Sequence, residues 1–119
     1  MHKNWAEFLS GYSAPVTELR GVAPELMKSF GAVAHAAHEP GAVDAKTKEL
    51  AALAIAVALR CDPCIGYHAR AALRNGATRQ EVGEFIGIAV EFCGGPAVYY
   101  AAAALEAYDQ FAAKAAAPR

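Results

Sequence analysis

The sequence lacks any long apolar run, any cluster of basic residues and any apolar stretch at its N-terminus. No window approaches the roughly 18 apolar residues that a membrane-spanning helix needs. The 11 Lys and Arg residues are scattered and nearly balanced by 12 Asp and Glu, which argues against a nucleic-acid-binding surface. The first residues, from Met1 to Trp5, do not resemble the apolar region of a signal peptide. These absences predict a cytoplasmic protein.

Runs of β-branched residues are also missing, whereas Ala is the commonest residue and Leu and Glu are frequent. This composition favours helix almost throughout, so the predicted fold is all-α with about six helices. A chain of 119 residues suits a single domain, over 1–119, with one modest core. Within it we predict a helical arm over 1–20, a core over about 22–110 and a frayed tail over 112–119.

Apolar spacing and prolines locate the first two helices. A short helix in the arm carries Trp5 and is interrupted by Gly11 and Pro15. Pro24 suits the first position of a second helix, because its fixed φ fits a helix and its missing N–H would be unpaired there. This second helix should extend over about 24–38 and bury an apolar stripe made of Leu26, Met27, Phe30, Val33 and Ala34. The aromatic residues of the arm that could dock on a neighbouring subunit are Trp5, Phe8 and Tyr12.

The stretch Leu50–Leu59 contains no polar residue, so it predicts a central helix that is buried on all sides. Asp44 is a suitable N-cap for this helix, because its carboxylate can accept hydrogen bonds from free backbone N–H groups. Hydrophobic residues make up 55% of the chain, which is more than a small domain can bury alone. We therefore expect part of the apolar surface to lie in the interface of a homo-oligomer.

Turn and cap signals divide the second half of the chain into three helices. Asn75–Gly76 closes the first of them, since glycine fits the left-handed position that follows a helix. Thr78 and Glu81 have the spacing of a capping box and start the next helix. Gly94–Gly95 breaks that helix, and Pro96 opens the last one.

Reactive groups are concentrated in Cys61, Cys64 and His68, which are spaced C-x-x-C-x-x-x-H. In a reducing compartment, a C-x-x-C pair indicates redox chemistry or metal binding rather than a structural disulfide. Asp62 precedes a proline, and a residue in that position is disfavoured in the α region of backbone conformation. This suits Asp62 to the N-cap position, which is non-helical. Pro63 should then be the first helical residue and Cys64 the second, with both sulfurs near the positive end of the helix dipole.

The helix dipole alone does not make Cys64 a good nucleophile at neutral pH. A charge at a helix N-terminus gains about 0.3–1 kcal/mol, which corresponds to less than one pKa unit. His68 lies one helical turn beyond Cys64, so its imidazole can take the thiol proton or pair with the thiolate. This arrangement favours Cys64 over Cys61 as the nucleophile.

Two other interpretations of the cysteine pair stay open at this point. Cys61 and Cys64 could be buried, unreactive thiols at the start of a helix. They could also bind zinc together with His68 and Glu49, although structural zinc sites usually contain a second ligand pair, which this sequence lacks.

These residues resemble the signature of a known family. The AhpD-like (alkylhydroperoxidase D) branch of the carboxymuconolactone decarboxylase superfamily is marked by E-x(11)-C-x-x-C-x-x-x-H, which is matched here by Glu49, Cys61, Cys64 and His68. The stretches 44–50 and 94–97 also resemble the family's entry to its central helix and its C-terminal element. The resemblance extends over about residues 22–110.

The resemblance implies an all-helical fold that assembles into trimers or hexamers and reduces hydroperoxides or small disulfides. Cys64 would attack the peroxide and become a sulfenic acid, and Cys61 would donate a proton and then resolve it to a Cys61–Cys64 disulfide. Glu49 and His68 would form the proton relay. A lipoyl-type or thioredoxin-like reductant would restore the dithiol, and no bound organic cofactor or metal is required.

Two features separate this chain from better-known members of the superfamily. The best-known peroxidase of the branch has a histidine between its cysteines, where this chain has Asp62–Pro63. The decarboxylases that name the superfamily generally lack the cysteine pair, so the dithiol argues against lactone decarboxylation. The alternative functions are a decarboxylating lyase or small-molecule binder, and a zinc-stapled interaction module.

The position of Glu49 in the predicted central helix determines which of the reactive residues it can approach. On one straight helix over 44–60, Glu49 lies about 16 Å along the axis from the helix end. An antiparallel neighbouring helix would bring it closer to His68 than to either cysteine, with any remaining gap closed by a crossing angle or a water. The alternative is an ordinary first-turn acid that interacts with the helix dipole.

Other residues have less specific patterns. Cys93 ends an apolar helix face, which predicts a buried small hydrophobe. His35 and His38 could bind a metal at i, i+3 spacing, but we expect them to be surface histidines. The aromatic residues that could line a pocket, or simply pack in the core, are Tyr67, Phe85 and Tyr99.

Overall fold

The structure is a computed structural model and describes residues 3–118. Within that range it contains six α-helices and no β-strand, which confirms the predicted all-α fold. The helices are Trp5–Val22 (α1), Pro24–His38 (α2), Ala45–Leu59 (α3), Asp62–Arg74 (α4), Arg79–Cys93 (α5) and Gly95–Ala116 (α6). None of the helices described is both long and apolar enough to cross a membrane.

The core lies between α3, α4, α5 and α6, and α1 packs against α4. The largest fully buried side chains come from α1, α3, α4 and α5, and they are Trp5, Leu50, Leu53, Val57, Ile65 and Val82. Helix α6 contributes mainly alanines and two aromatic side chains to the core, and these include Ala97, Ala101, Ala104, Ala107, Tyr108 and Phe111. The alanine-rich segment of the sequence therefore forms one wall of the core.

The first helix, α1, is continuous over 18 residues, so the predicted interruption at Gly11 and Pro15 is wrong. Proline lacks an N–H and therefore removes the hydrogen bond to the carbonyl four residues earlier, here that of Gly11. Both residues are exposed, so water can satisfy the freed carbonyl and the helix continues to Val22. Met1, His2 and Arg119, at the ends of the predicted arm and tail, lie outside the described residues.

Trp5 anchors α1 in the core of its own chain, so its predicted docking on a neighbouring subunit is wrong. Its side chain is buried, and its indole Nε1–H donates to Glu106 at 3.0 Å. Its backbone N–H donates to the Gln110 side chain at 2.9 Å. These contacts tie the start of α1 to α6.

Gly66 of α4 provides the space in which α1 packs. A Cβ atom at this position would lie 2.9 Å from Leu9 Cδ2 and 3.1 Å from Trp5 Cε3. The absence of a side chain at Gly66 therefore lets α1 approach the helix that begins at the cysteine pair.

The apolar side of α2 is exposed in the single chain, so the prediction that its stripe is buried within the domain is wrong. Leu26, Phe30 and Val33 are 64%, 65% and 67% exposed, and no residue of α2, all of which is described, is fully buried. The central helix α3 is likewise buried on one side only, since Ile55 and Leu59 are exposed. The pattern of apolar residues correctly predicted that these segments are helical. It overestimated how much of their apolar surface is buried within a single chain.

Three predicted turn and cap signals are confirmed. The Asp44 carboxylate accepts the N–H of Thr47 at 2.8 Å, and hydrogen bonding by Thr47 holds the pKa of Asp44 below its usual value. Thr78 and Glu81 form the predicted capping box at the start of α5. Gly76 has a φ of 87° after α4, in the left-handed region that favours glycine.

Two predictions for the C-terminal half are corrected. Cys93 is exposed rather than buried, because α5 ends at this residue and the positive φ of Gly94 (72°) starts the turn into α6. The predicted frayed tail begins too early, since α6 continues through Ala116. Phe111 packs in the core at this level, and the alanines that follow are strong helix formers.

Replacing Gly66 with Leu should lower the free energy of unfolding by about 1–3 kcal/mol, because the new side chain displaces Trp5 and Leu9. The matched control is Gly83→Leu in α5, where a Cβ atom would meet nothing within 4 Å. Leucine's higher helix propensity should raise stability there by up to about 1 kcal/mol. Urea unfolding followed by circular dichroism measures both effects, and equal stabilities would contradict the packing of α1 against Gly66.

Candidate redox site

A tight connection through Arg60 and Cys61 joins α3 to α4. Arg60 is in the left-handed region (φ 56°, ψ 43°) and is the only non-glycine residue of the described part with a positive φ. Its N–H donates to the Val57 carbonyl and that of Cys61 donates to the Ala56 carbonyl, both at 3.1 Å. These two bonds form a Schellman ending, after which α4 runs back along α3.

Cys61 is the N-cap of α4, so the predicted assignment of Asp62 as N-cap is wrong by one residue. The Cys61 carbonyl accepts the N–H of Ile65 at 2.9 Å, and its Sγ accepts the N–H of Cys64 at 3.3 Å. The sulfur therefore fills the capping role that was expected of the Asp62 carboxylate. Asp62, Pro63 and Cys64 occupy the first three helical positions.

The structure joins Cys61 and Cys64 in a disulfide bond, with their Cα atoms 5.3 Å apart. Both residues are partly exposed, and Cys64 also packs against the core. The pair is thus accessible to solvent while it is held at the N-terminus of α4. This exposure argues against the interpretation that Cys61 and Cys64 are buried, unreactive thiols.

The Asp62 carboxylate is paired with Lys3, whose Nζ lies 3.1 Å from Oδ2. Lys3 also lies 5.1 Å from the centroid of the Phe8 ring, so it links α1 to the start of α4. Both partners of the ion pair are partly exposed, which makes it a weak contribution to stability. Its effect on the site is to offset a negative charge that would oppose a thiolate at Cys64.

Glu49 of α3 lies opposite His68 of α4, with Oε2 at 2.7 Å from the Nδ1 atom of the imidazole. The Glu49 side chain is only 15% exposed, so the contact is largely shielded from water. The expected approach of Glu49 to His68 is confirmed, and the contact is direct rather than bridged by water. Glu49 therefore orients the ring through Nδ1. The other ring nitrogen of His68, Nε2, is not used in this contact.

His38, the last residue of α2, is a member of this cluster that sequence reasoning assigned to the surface. Its Nδ1 atom lies 3.1 Å from Oε1 of Glu49, and its ring stacks on that of His68 with centroids 5.5 Å apart and planes 10° apart. His35 is a surface histidine as expected, 82% exposed and 3.2 Å from Glu39. The sequence signal that could have placed His38 near Glu49 is the turn at Pro40–Gly41. A short turn there brings the end of α2 back to the start of α3.

Lys48 fastens the end of α2 to α3. Its Nζ donates to the carbonyls of Ala37 at 3.0 Å and Glu39 at 2.6 Å. A cation beside the last turn of a helix also interacts favourably with the helix dipole. Because His38 lies between these two carbonyls in sequence, the Lys48 contacts hold it near Glu49.

The three aromatic residues considered for a pocket lie in different surroundings. Tyr67 of α4 is exposed, with Tyr12 at 6.4 Å between ring centroids and the Arg70 guanidinium at 5.2 Å. Phe85 packs against the core, which is the simpler expectation, whereas Tyr99 is exposed. Of the three, Tyr67 alone belongs to the helix that begins at the cysteine pair.

Comparison with known proteins agrees with the fold. The sequence model of the carboxymuconolactone decarboxylase family matches residues 24–107, and the chain therefore belongs to this family. An uncharacterised protein of Cupriavidus necator is 42% identical over 86 residues, which cover 72% of this chain and 76% of that protein. An uncharacterised protein of Haemophilus influenzae is 39% identical over 109 residues, which cover 92% of this chain and 96% of that protein.

Solved structures show the same fold. A carboxymuconolactone decarboxylase family protein of Legionella pneumophila, solved in an apo form, is 42% identical with a TM-score of 0.88, over 92% of this chain and 98% of that chain. A family member of Thermotoga maritima is 27% identical with a TM-score of 0.81, over 90% and 92% of the two chains. The latter protein is suggested to take part in an antioxidative response.

The Lys48→Met variant should release the end of α2, because two carbonyls lose their charged donor. We expect faster amide hydrogen exchange over residues 35–40 and a free energy of unfolding lowered by about 0.5–1.5 kcal/mol. The matched control is Lys28→Met, which removes an exposed lysine of α2. Unchanged exchange in Lys48→Met would contradict the anchoring of His38 by this residue.

Proposed function

We propose that this protein is a dithiol oxidoreductase that reduces hydroperoxides or small disulfides through Cys61 and Cys64. The observation that carries the proposal is an accessible Cys61–Cys64 disulfide on the helix that also carries His68, whose ring contacts Glu49. Membership of the carboxymuconolactone decarboxylase family supports it, as does the antioxidative role suggested for the Thermotoga relative.

Formation of the Cys64 thiolate needs more than its place in the helix. The dipole at the start of α4 contributes about 0.3–1 kcal/mol, and the Lys3–Asp62 pair limits the opposing charge. His68 follows Cys64 by one turn, so its Nε2 can accept the thiol proton while Nδ1 stays bonded to Glu49. The Glu49 carboxylate then stabilises the imidazolium that forms.

The proposed reaction with a hydroperoxide proceeds in two steps. The Cys64 thiolate forms a bond to one peroxide oxygen as the O–O bond breaks, and the leaving oxygen takes the proton of the His68 imidazolium to become an alcohol. Cys61 then attacks the Cys64 sulfenic acid, whose hydroxyl group leaves with the Cys61 thiol proton as water. Two electrons pass from the dithiol to the peroxide, and the disulfide is the product on the protein.

A second dithiol must return the two electrons and two protons, and we propose a lipoyl-type or thioredoxin-like reductant. Cytosolic thiol pools keep such reductants in the reduced state, so the proposed site of action is the cytoplasm. The reaction itself needs no bound organic cofactor and no metal, because the sulfurs carry the electrons.

We further propose that the protein acts as a homo-oligomer, a trimer or a hexamer. The exposed stripe of α2 and the exposed residues of α3 are large apolar side chains, such as Phe30 and Leu59. Exposed apolar surface of this kind marks an interface more often than it faces water. Covering it would complete the burial that the sequence pattern predicts.

In the Cys64→Ser variant, peroxide-dependent turnover should fall to background, because the hydroxyl is a far weaker nucleophile than the thiolate. Cys61→Ser should consume peroxide once without forming the internal disulfide, and the matched control Cys93→Ser, at an exposed cysteine, should keep full turnover. Stopped-flow oxidation with several hydroperoxides measures all three. Full activity in Cys64→Ser would exclude the mechanism, and lactone decarboxylation that survives loss of both cysteines would favour a lyase.

The Glu49→Gln variant should slow thiol oxidation by about tenfold or more at neutral pH, since general acid–base catalysis contributes about 10²–10⁴ and Glu49 supports it through His68. A neutral amide stabilises the imidazolium less than a carboxylate does. His68 therefore accepts the thiol proton less readily, and the rate of thiol oxidation falls. The matched control is Glu39→Gln at an exposed acid, and identical rates for the two variants would contradict the relay.

A further inference from the structure

We propose that His38, Glu49 and His68 form a binding site for a divalent transition-metal ion such as Zn²⁺. Each residue comes from a different helix, α2, α3 and α4, and offers one ligand atom. These three atoms all lie within 4.8 Å of one another. The site differs from the cysteine-based zinc site considered from the sequence, because it uses neither sulfur and it adds His38.

The donor set selects the class of ion. Two imidazole nitrogens and one carboxylate oxygen are the ligands of many zinc sites that keep an open coordination position. Ca²⁺ and Mg²⁺ prefer oxygen ligands alone, so they fit this set poorly. Zn²⁺ and Co²⁺ are therefore the appropriate probes.

The Nδ1 atom of His38 is the strongest sign that a partner belongs at this position. It is buried and makes no hydrogen bond, although it lies within ion-pair distance of Oε1 of Glu49, at 3.1 Å. A buried polar atom that makes no hydrogen bond normally costs free energy. A metal ion between the two imidazoles and the carboxylate would satisfy this nitrogen.

The charges around the cluster also favour a cation. Among the described residues, Glu49 forms ion pairs with His38 and His68 and with no Lys or Arg. Lys48, its sequence neighbour, directs its ammonium to two backbone carbonyls instead. His38 ends α2, and the negative end of a helix dipole attracts positive charge.

A metal ion at this site would have a consequence that rests on the proposed function. It would occupy Nδ1 of His68 and the Glu49 carboxylate, which are the groups that the dithiol needs for proton transfer. Metal binding and thiol oxidation should therefore compete for the same two side chains.

The test uses the untagged, disulfide-bonded protein, in which the sulfurs of Cys61 and Cys64 are not available as thiolate ligands. Titration calorimetry with Zn²⁺ and absorption spectra with Co²⁺ should show one ion per chain bound by nitrogen and oxygen ligands, without a thiolate charge-transfer band. His38→Asn should weaken binding by about tenfold or more, and Glu49→Gln should do the same. The matched control His35→Asn, at the exposed histidine one turn earlier, should bind as the wild type does.

The outcomes separate this proposal from the proposed function, because binding is measured without any turnover. Absence of stoichiometric binding, or equal affinity of His38→Asn and His35→Asn, would overturn the metal site and leave the dithiol mechanism untouched. Binding that appears only after reduction and disappears in Cys61→Ser would also overturn it, since the sulfurs would then be the ligands. Circular dichroism checks that each variant is folded, with His38→Gln as the replacement if His38→Asn is not.

Discussion

The reversal of the chain at Arg60 and Cys61 is the constraint on which the geometry of the site depends. Because α4 begins directly after this turn, it runs back along α3 and places His68 beside Glu49, although 19 residues separate them in sequence. The same turn makes Cys61 the cap of α4 and so holds both sulfurs at the start of the helix. A longer or more flexible connection would leave the cysteines, the histidine and the carboxylate without a defined relation.

The second helix connects the site to the rest of the molecular surface. It contributes His38 to the cluster through its last residue, while its apolar side is exposed over much of its length. A partner copy that covers this side would also restrain the helix that holds His38. In the proposed oligomer, assembly and the chemistry proposed for the cluster would be linked through this one helix.

Local signals predicted much of this structure, and tertiary contacts decided the rest. The caps at Asp44 and Thr78 and the helical class were predictable because they depend on neighbouring residues. The approach of Glu49 to His68 was expected because an antiparallel neighbouring helix would bring the two closer together, and the family resemblance pairs them in a relay. The role of His38 was missed, since it depends on how α2 folds back onto α3, and Cys61 was not expected as a cap because sulfur rarely fills that role. The continuity of α1 is compatible with the exposure of Gly11 and Pro15, which the sequence does not reveal.

The left-handed conformation of Arg60 limits how this family member can vary over evolution. Glycine and asparagine adopt such a φ readily, whereas β-branched residues do so only with strain. The Arg60 side chain is exposed, so its charge can change without disturbing the core. A substitution at this position that keeps the left-handed conformation therefore changes the charge next to Cys61, while the path of the backbone stays the same. Local charge and backbone geometry are thus separately adjustable within two adjacent residues.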